Sequence, residues 1–291
     1  MLPVLLTRIK TKDGVTLDGI YIHPKRRSKV ALIYLHGLTS CFYSGQTLIK
    51  ELSVKCAKAG IGYFKFNTRG HDVVARGGKK WIGAAYERFE DCLKDIQAMI
   101  RFARHLGYKK IILAGSSTGA NKALYYLYKT KDRRVKGLIL LGPVSDIDFD
   151  LKKFGKREIA RRLALAEKLK RKDPYRLLPQ KFGIWSAQRL VSILSPGAGE
   201  DVFPYYNQKA QWKELRSVRV PVAVIFGSRD EYLTGPAKKH IEIFRKNAVN
   251  AKSFSGIIIK GARHSFTKKE KELAKVIVDW INPVREKRRK L

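Results

Sequence analysis

Cysteine is scarce in this chain, which has three cysteines among 291 residues. Cys41, Cys56 and Cys92 show no spacing that is typical of metal ligands. An odd number of cysteines without a C-x-x-C pair is typical of proteins in a reducing compartment. We therefore expect no bound metal and a cytoplasmic location, and we expect Cys92 to pack in the core from the apolar face of a helix.

Long hydrophobic runs are also absent. The stretch from Met1 to Leu6 is too short for the core of a signal peptide, and the polar stretch from Thr7 to Thr11 follows it directly. No apolar run approaches the roughly 20 residues that a membrane-spanning helix needs. The sequence thus predicts no transmembrane segment.

Acidic residues are few, because 25 Asp and Glu stand against 61 Lys and Arg and give a formal net charge of +36. Such a charge attracts nucleic acids, anionic membranes and other anions without specific recognition. The basic residues are spread along the chain, and no RNA-binding signature is present. We therefore interpret the net charge as basic residues dispersed over solvated surfaces. We expect no specific nucleic-acid partner, while non-specific anion binding stays open.

What the chain does contain is an alternation of strand-like and helix-like segments. Continuous apolar runs such as Val30 to Leu35 are typical of strands covered on both faces, and the clearest helical spacing is in residues 86–106. An antiparallel hairpin is expected over residues 4–22, around a turn at Lys12-Asp13-Gly14. The pattern predicts an α/β fold with a mostly parallel central sheet flanked by helices.

Residues 147–215 interrupt this alternation. They lack strand-like runs and contain a strongly basic helical stretch from Arg157 to Lys172, followed by a second one over about residues 185–194. We interpret residues 147–215 as a helical cap inserted into a core domain formed by residues 1–146 and 216–291. Residues 73–84 carry glycines and basic side chains and are expected to form a loop.

The stretch from Ile111 to Ala120 is an apolar run that ends in Gly115-Ser116-Ser117-Thr118-Gly119 and continues into a helix-forming segment. A strand, a G-x-S-x-G turn and a helix form a nucleophile elbow, which lifts a serine clear of the sheet. Side chains two residues before and two after the serine would collide with the neighbouring strand and helix, so both positions need glycine. Ser117 is therefore the candidate nucleophile.

A serine hydroxyl needs a base within hydrogen-bonding distance, and that base needs a third group to fix its tautomer. His264 follows the last predicted strand, and Asp230 follows the strand before it. Ligands of parallel sheets bind beyond the carboxyl ends of the strands, where these loops meet. We predict His264 as the base and Asp230 as the acid, with Glu231 and Asp146 as alternatives for the acid.

A reaction at an ester carbonyl also needs preorganised donors for the developing oxyanion, usually two backbone N–H groups. We expect one from Thr118, the residue after the nucleophile, and the other from Leu38, in the loop after the strand that ends at Leu35. Gly37 permits a close backbone approach at this point. His36 is expected to make structural hydrogen bonds under the same loop.

At these residues the chain resembles the α/β-hydrolase superfamily, in particular its branch of small lysophospholipases, feruloyl esterases and serine aminopeptidases. The likeness covers about residues 15–282. Its motifs are the oxyanion loop His36-Gly37-Leu38-Thr39-Ser40, the segment Asn67-Thr68-Arg69-Gly70-His71 with Asn in place of the usual Asp, the acid loop Gly227-Ser228-Arg229-Asp230, and the histidine loop Gly261-Ala262-Arg263-His264-Ser265-Phe266. A weaker likeness, to a group of fungal and prokaryotic hydrolases, lies in the cap at Ser195-Pro196-Gly197 and Asp201-Val202-Phe203.

The motifs and the resemblance together imply a serine hydrolase that cleaves a small-molecule carboxylic ester through an acyl-enzyme, with neither a metal nor an organic cofactor. Thioesterases, peptidases and acyltransferases use the same triad, so these activities stay open. A non-catalytic protein that binds anions through its basic surface is the alternative from another class. A serine rather than an aspartate at the elbow argues against dehalogenase and epoxide-hydrolase chemistry.

Overall fold

The structure, a computed structural model, describes residues 4–24, 28–78 and 80–286. The strands in chain order are β1 (Leu5–Lys10), β2 (Thr16–Ile22), β3 (Val30–Leu35), β4 (Gly62–Phe66), β5 (Ala75–Gly77), β6 (Lys80–Ile82), β7 (Lys110–Ser116), β8 (Val135–Leu141), β9 (Val222–Gly227) and β10 (Phe254–Ile259). Eight of them form one sheet in the order β1-β2-β4-β3-β7-β8-β9-β10, and β5 pairs with β6. The strands from β4 to β10 in this sheet are parallel, and the β1–β2 hairpin is joined antiparallel to β4.

Helices cover both faces of this sheet. They are α1 (Gln46–Lys58), α2 (Cys92–His105), α3 (Thr118–Thr130), α4 (Asp146–Lys172), α5 (Ala187–Leu194), α6 (Lys213–Arg216), α7 (Ala237–Asn247) and α8 (Glu270–Glu286). In β3, Ile33 and Leu35 pack towards α2, α3 and α7, whereas Leu32 and Tyr34 pack towards α1 and α8. The mostly parallel α/β fold predicted from the sequence, with its hairpin over residues 4–22, is confirmed.

The region between β8 and β9 packs in two ways. Helices α4 and α5 form an apolar cluster of their own, which includes Ile159, Phe182 and Leu190. After α5 the chain returns to the sheet, where Phe203 and Trp212 join the core cluster beside α7. The division of the chain into a core domain and a cap over residues 147–215 remains a prediction, and the term cap denotes these residues in that sense.

Two predictions of secondary structure are wrong. Within the segment expected to be a loop, β5 and β6 pair antiparallel, and the Arg76 guanidinium lies 5.1 Å from the centre of the Trp81 ring. Helix α2 begins at Cys92 rather than near residue 86, because Glu87 is held in a buried ion pair and Arg88 is extended. Cys92 is fully buried, as expected.

The basic helix of the cap is longer than predicted. It begins at Asp146, where the Ser145 hydroxyl accepts a hydrogen bond from the backbone N–H of Asp148 at 3.3 Å. Gly155, with a φ of 77°, interrupts its helical backbone nine residues later. This glycine interrupts the helical sequence pattern, so the pattern indicated only the part of α4 that follows Gly155.

Across the described part of the chain, every helix is too short or too polar to traverse a lipid bilayer.

His36 ties the loop after β3 to the loop after β4. Its Nε2 accepts a hydrogen bond from the backbone N–H of Thr68 at 3.0 Å, and its Nδ1 lies 2.9 Å from the carbonyl oxygen of Gly37. The ring is buried, and burial, followed by the nearby charge of Lys122, lowers the pKa of His36 to about 3. His36 is thus neutral and makes the structural hydrogen bonds expected from the sequence.

We expect His36 to make the fold sensitive to acid. In the unfolded chain a histidine takes up a proton below about pH 6.5, whereas folded His36 resists protonation down to a pKa of about 3. The unfolded state therefore binds more protons, and the free energy of unfolding decreases as the pH falls through this range. Urea titrations at about pH 7 and about pH 4.5 should show that a His36→Gln variant loses about 2 kcal/mol less than the wild type on acidification. Equal losses in both proteins would contradict this role.

Candidate active site

Ser117 lies at the sharp turn between β7 and α3. Its φ of 55° and ψ of −129° are strained for a residue with a side chain, and such strain is typical of functional sites. Its backbone N–H donates to the carbonyl oxygen of Leu141 at 2.8 Å, so the turn is held to the end of β8. The half-buried hydroxyl is thus fixed at the carboxyl ends of the strands.

The two glycines of the elbow are required by the backbone around them. A Cβ atom on Gly115 would lie 2.1 Å from the carbonyl oxygen of Gly119, and a Cβ on Gly119 would lie 2.4 Å from the carbonyl oxygen of Leu35. Both distances are far inside van der Waals contact with backbone atoms, which cannot move aside. The crowding expected from the G-x-S-x-G pattern is therefore present on both sides of Ser117.

Asp230 and His264 come from different loops and form a direct pair. The Nδ1 of His264 lies 2.9 Å from Oδ1 and 3.0 Å from Oδ2 of Asp230, whose side chain is almost fully buried. Glu231 accepts a hydrogen bond from the backbone N–H of His264 at 3.0 Å rather than from the ring, and Asp146 makes no hydrogen bond to this ring. The Asp230 carboxylate accepts a hydrogen bond from the Nδ1–H group, which assigns the proton to Nδ1 and leaves the lone pair of Nε2 available.

The ring of His264 lies next to the peptide that holds the elbow. A Cβ on Gly142 would lie 3.1 Å from both Nδ1 and Cε1 of His264, and the residue before it, Leu141, accepts the N–H of Ser117. The Nε2 atom is buried and has no hydrogen-bond partner among the described residues, the Ser117 hydroxyl included. Catalytic hydrogen bonds are often long without substrate and tighten when it binds.

The two predicted oxyanion donors flank the same hydroxyl. A Cβ on Gly37 would lie 3.0 Å from Cβ and 3.6 Å from Oγ of Ser117, so the loop that carries Leu38 lies directly against Ser117. Thr118 is the first residue of α3. Within the described residues, neither the Leu38 nor the Thr118 backbone N–H donates to a protein acceptor. Both groups are free to bind an oxygen of a ligand.

A cavity of about 300 Å³ connects this loop to the cap. Leu38 lines it from the core, and the aromatic side chains of Phe154, Phe182 and Trp185 line it from the cap. Three cations of the cap also face it: Lys153, Arg162 and Lys181. Two carboxylates, those of Asp146 and Asp150, face the same cavity. The wall is therefore aromatic and carries three cations against two acidic groups, a combination that the sequence pattern alone did not indicate.

A buried network of charges lies beneath the site and was not predicted from the sequence. Lys122 of α3 donates to Glu87 at 2.5 Å, and Arg189 of α5 pairs with Glu200 and lies 3.6 Å from Glu87. All four side chains are buried. The only sequence signal was a lysine within the apolar helix α3. Because α5 lies in the predicted cap, this network ties that region to α3, the helix that follows Ser117.

Asp146, the alternative acid of the sequence analysis, lies at the N-terminal end of α4. Its Oδ2 is buried without a hydrogen-bond partner in the described chain. Burial, and next the charge of Glu200, raise the pKa of Asp146 to about 7. Among the same described residues, no cluster of three or more His, Cys, Asp or Glu side chains is placed to hold a metal ion.

Solved structures share this fold along almost the whole chain. The Pyrococcus furiosus esterase Pf2001 is 18% identical, with a TM-score of 0.62 over 97% of this chain and 91% of that chain. Est1E from Butyrivibrio proteoclasticus, with ferulic acid bound, is 18% identical with a TM-score of 0.62 over 94% and 97%. The carboxylesterase CesB (YbfK) from Bacillus subtilis is 17% identical with a TM-score of 0.56 over 96% and 92%. At this identity the likeness establishes the fold.

No curated protein matches the sequence. One family does match most of it: the family described as "Protein of unknown function (DUF1749)" covers residues 17–284. These residues include the oxyanion loop, the elbow, the cap, the acid loop and the histidine loop. The chain therefore belongs to this family of unknown function and has the α/β-hydrolase fold.

Proposed function

We propose that this protein is a serine hydrolase that cleaves carboxylic esters of small molecules. Ser117 is the nucleophile, His264 the base and Asp230 the group that orients His264. The observation that carries the proposal is the pairing of Asp230 with Nδ1 of His264, which leaves Nε2 buried and unpartnered within the described residues, on a ring that lies beside the peptide that anchors the elbow. A surface histidine has no need of such an arrangement, whereas a general base does.

The reaction follows from these positions. The Ser117 hydroxyl attacks the ester carbonyl carbon while Nε2 of His264 takes its proton, and the Asp230 carboxylate stabilises the resulting imidazolium. The carbonyl oxygen becomes an oxyanion that accepts from the N–H groups of Leu38 and Thr118, each worth about 3 kcal/mol in the barrier. The intermediate then expels the alcohol, to which His264 returns the proton. Water, deprotonated by His264, then attacks the acyl-enzyme, and the second intermediate breaks its bond to the Ser117 oxygen, which receives the proton from His264 as the acid is released.

The similar structures support an ester as the substrate, because Pf2001 is an esterase, CesB is a carboxylesterase and Est1E binds ferulic acid. In this proposal residues 147–215 form the cap, and the cavity of about 300 Å³ beneath it receives one side of the ester. The three cysteines are free and buried, which is consistent with a reducing, cytoplasmic compartment.

Replacing the nucleophile should abolish ester hydrolysis. In Ser117→Ala the attacking oxygen is lost, so kcat for p-nitrophenyl esters should fall by at least about 10⁴-fold. The matched control is Ser217→Ala, which removes a hydroxyl that only donates to the carbonyl of Glu214. Initial rates over a series of acyl lengths also give the chain-length preference. Equal activity of wild type and Ser117→Ala would exclude the proposed nucleophile.

Removing the charge of Asp230 should impair kcat more than KM. Asp230→Asn leaves the shape of the site but favours the wrong tautomer of His264, so kcat should fall by about 10³- to 10⁴-fold. Asp279→Asn is the control, because it makes the same change at an exposed residue of α8 that pairs with Lys275. Steady-state kinetics together with thermal melting separate catalysis from folding. A loss below about tenfold would point to a different orienting acid.

The basic wall of the cap cavity should favour anionic esters. Three cations, Lys153, Arg162 and Lys181, outnumber the two carboxylates on this wall. The excess of positive charge attracts a carboxylate on the acyl chain, and salt screens this attraction. Between about 20 mM and about 300 mM salt, kcat/KM should fall several-fold for p-nitrophenyl hemisuccinate and stay nearly constant for p-nitrophenyl butyrate. Lys153→Gln combined with Lys181→Gln should reduce this difference, whereas Lys275→Gln on α8 should not. The same salt response for both esters would argue against steering.

A further inference from the structure

A second cavity, of about 320 Å³, lies on the α1–α8 side of the sheet at the carboxyl ends of β3 and β4. It shares Gly37 and Ser116 with the surroundings of the elbow, but none of the three proposed triad residues lines it. Its walls come from these strand ends, the first turn of α1 and the first turn of α8. We name it the Lys65 cavity after the cation in its wall.

Lys65 is buried without a counter-ion. Its side chain is only 4% exposed, and its ammonium group donates to the backbone carbonyl of Ser44 and lies 5.4 Å from the centre of the Tyr34 ring. It forms no ion pair with any carboxylate of the described chain. Burial lowers the pKa of Lys65 to about 8, so the group is still mostly charged at neutral pH. An unpaired ammonium in such a place is costly unless a ligand partner neutralises it.

The N-terminal end of α1 faces the same cavity. Its cap residue is Gly45, which has no side chain to accept a hydrogen bond, and its first turn contains no acidic residue. The backbone N–H groups of Gln46, Thr47 and Leu48 have no acceptor among the described residues, and all three residues line the cavity. Free N–H groups and the helix dipole at this end of a 13-residue helix favour a negative charge.

The hydroxyl of Tyr63 is a third donor group that lacks an acceptor among the described residues. Tyr63 lines the Lys65 cavity, is fully buried, and its hydroxyl has no hydrogen-bond partner within the described residues. Buried polar atoms are normally satisfied, so each exception requires an explanation. The ammonium, the helix N–H groups and this hydroxyl are all donors, and an acceptor with several lone pairs would satisfy them together.

We propose that the Lys65 cavity is a binding site for a small oxyanion, the carboxylate or phosphate group of a small molecule. Such a group offers two or three oxygens, which matches the ammonium of Lys65, the first turn of α1 and the hydroxyl of Tyr63. Glu270 is the one carboxylate on the described wall, and it is not paired with Lys65. Its negative charge repels a bound anion, so removing that charge should raise the affinity for the anion.

Anion binding at this site can be measured without turnover, so the result is independent of the proposed hydrolase activity. Sodium phosphate and sodium acetate, titrated calorimetrically into the protein at about pH 7 with chloride holding the ionic strength constant, distinguish the two anion classes. At least one of them should bind saturably at one site. Lys65→Met should weaken this binding at least about tenfold, and Tyr63→Phe about threefold. Glu270→Gln should tighten it.

The control is Lys50→Met, which removes the same charge from an exposed position on α1 and should bind as the wild type does. This comparison separates the cavity from general attraction by the +36 charge. Removing a buried unpaired charge should not lower the melting temperature, and if Lys65→Met nevertheless fails to fold, Tyr63→Phe and Glu270→Gln decide. Absence of saturable binding of both anions would overturn the proposal, as would affinities unchanged in Tyr63→Phe and Glu270→Gln.

Discussion

The close approach of three backbone segments at the turn after β7 is the constraint on which the site depends. Gly115, Gly119 and the carbonyl of Leu35 leave no room for a side chain, so the turn can close only with Ser117 in a strained conformation. The same closeness brings the loop of Gly37 against the hydroxyl and puts the first N–H of α3 beside it. The positions of the proposed nucleophile and of its two candidate oxyanion donors are thus consequences of one packing arrangement.

Several of the few acidic residues pair with buried cations in the folded chain. Asp13, Asp91 and Asp95 surround the buried guanidinium of Arg69, which anchors the loop after β4. Glu87 and Glu200 form ion pairs in the buried network beneath the predicted cap. Several of the 25 acids therefore neutralise internal cations, and the exposed surface is correspondingly more basic. This distribution suits a protein whose surface attracts anionic molecules. Lys65 is an exception among the described internal cations, because it is buried without a carboxylate partner.

Features that depend on local pattern could be predicted from the sequence. Buried strands are continuous apolar runs, and polar motifs at their carboxyl ends converge in any parallel sheet, so Ser117, Asp230 and His264 could be predicted before any coordinates. Features that depend on tertiary contacts could not. The late start of α2 follows from the burial of Glu87 by a lysine 35 residues away, and the vacant donors around Lys65 arise only when β4, α1 and α8 come together.

The central claim is that Ser117 is made reactive by His264, and covalent labelling with a fluorophosphonate tests it most directly. Such a probe reacts with an activated serine and not with an ordinary hydroxyl. The account predicts one added group per chain by intact mass, located by peptide mapping on Ser117 rather than Ser116, and formed far more slowly in His264→Gln. A folded wild-type protein that remains unlabelled, or one labelled at the same rate with and without His264, would contradict it.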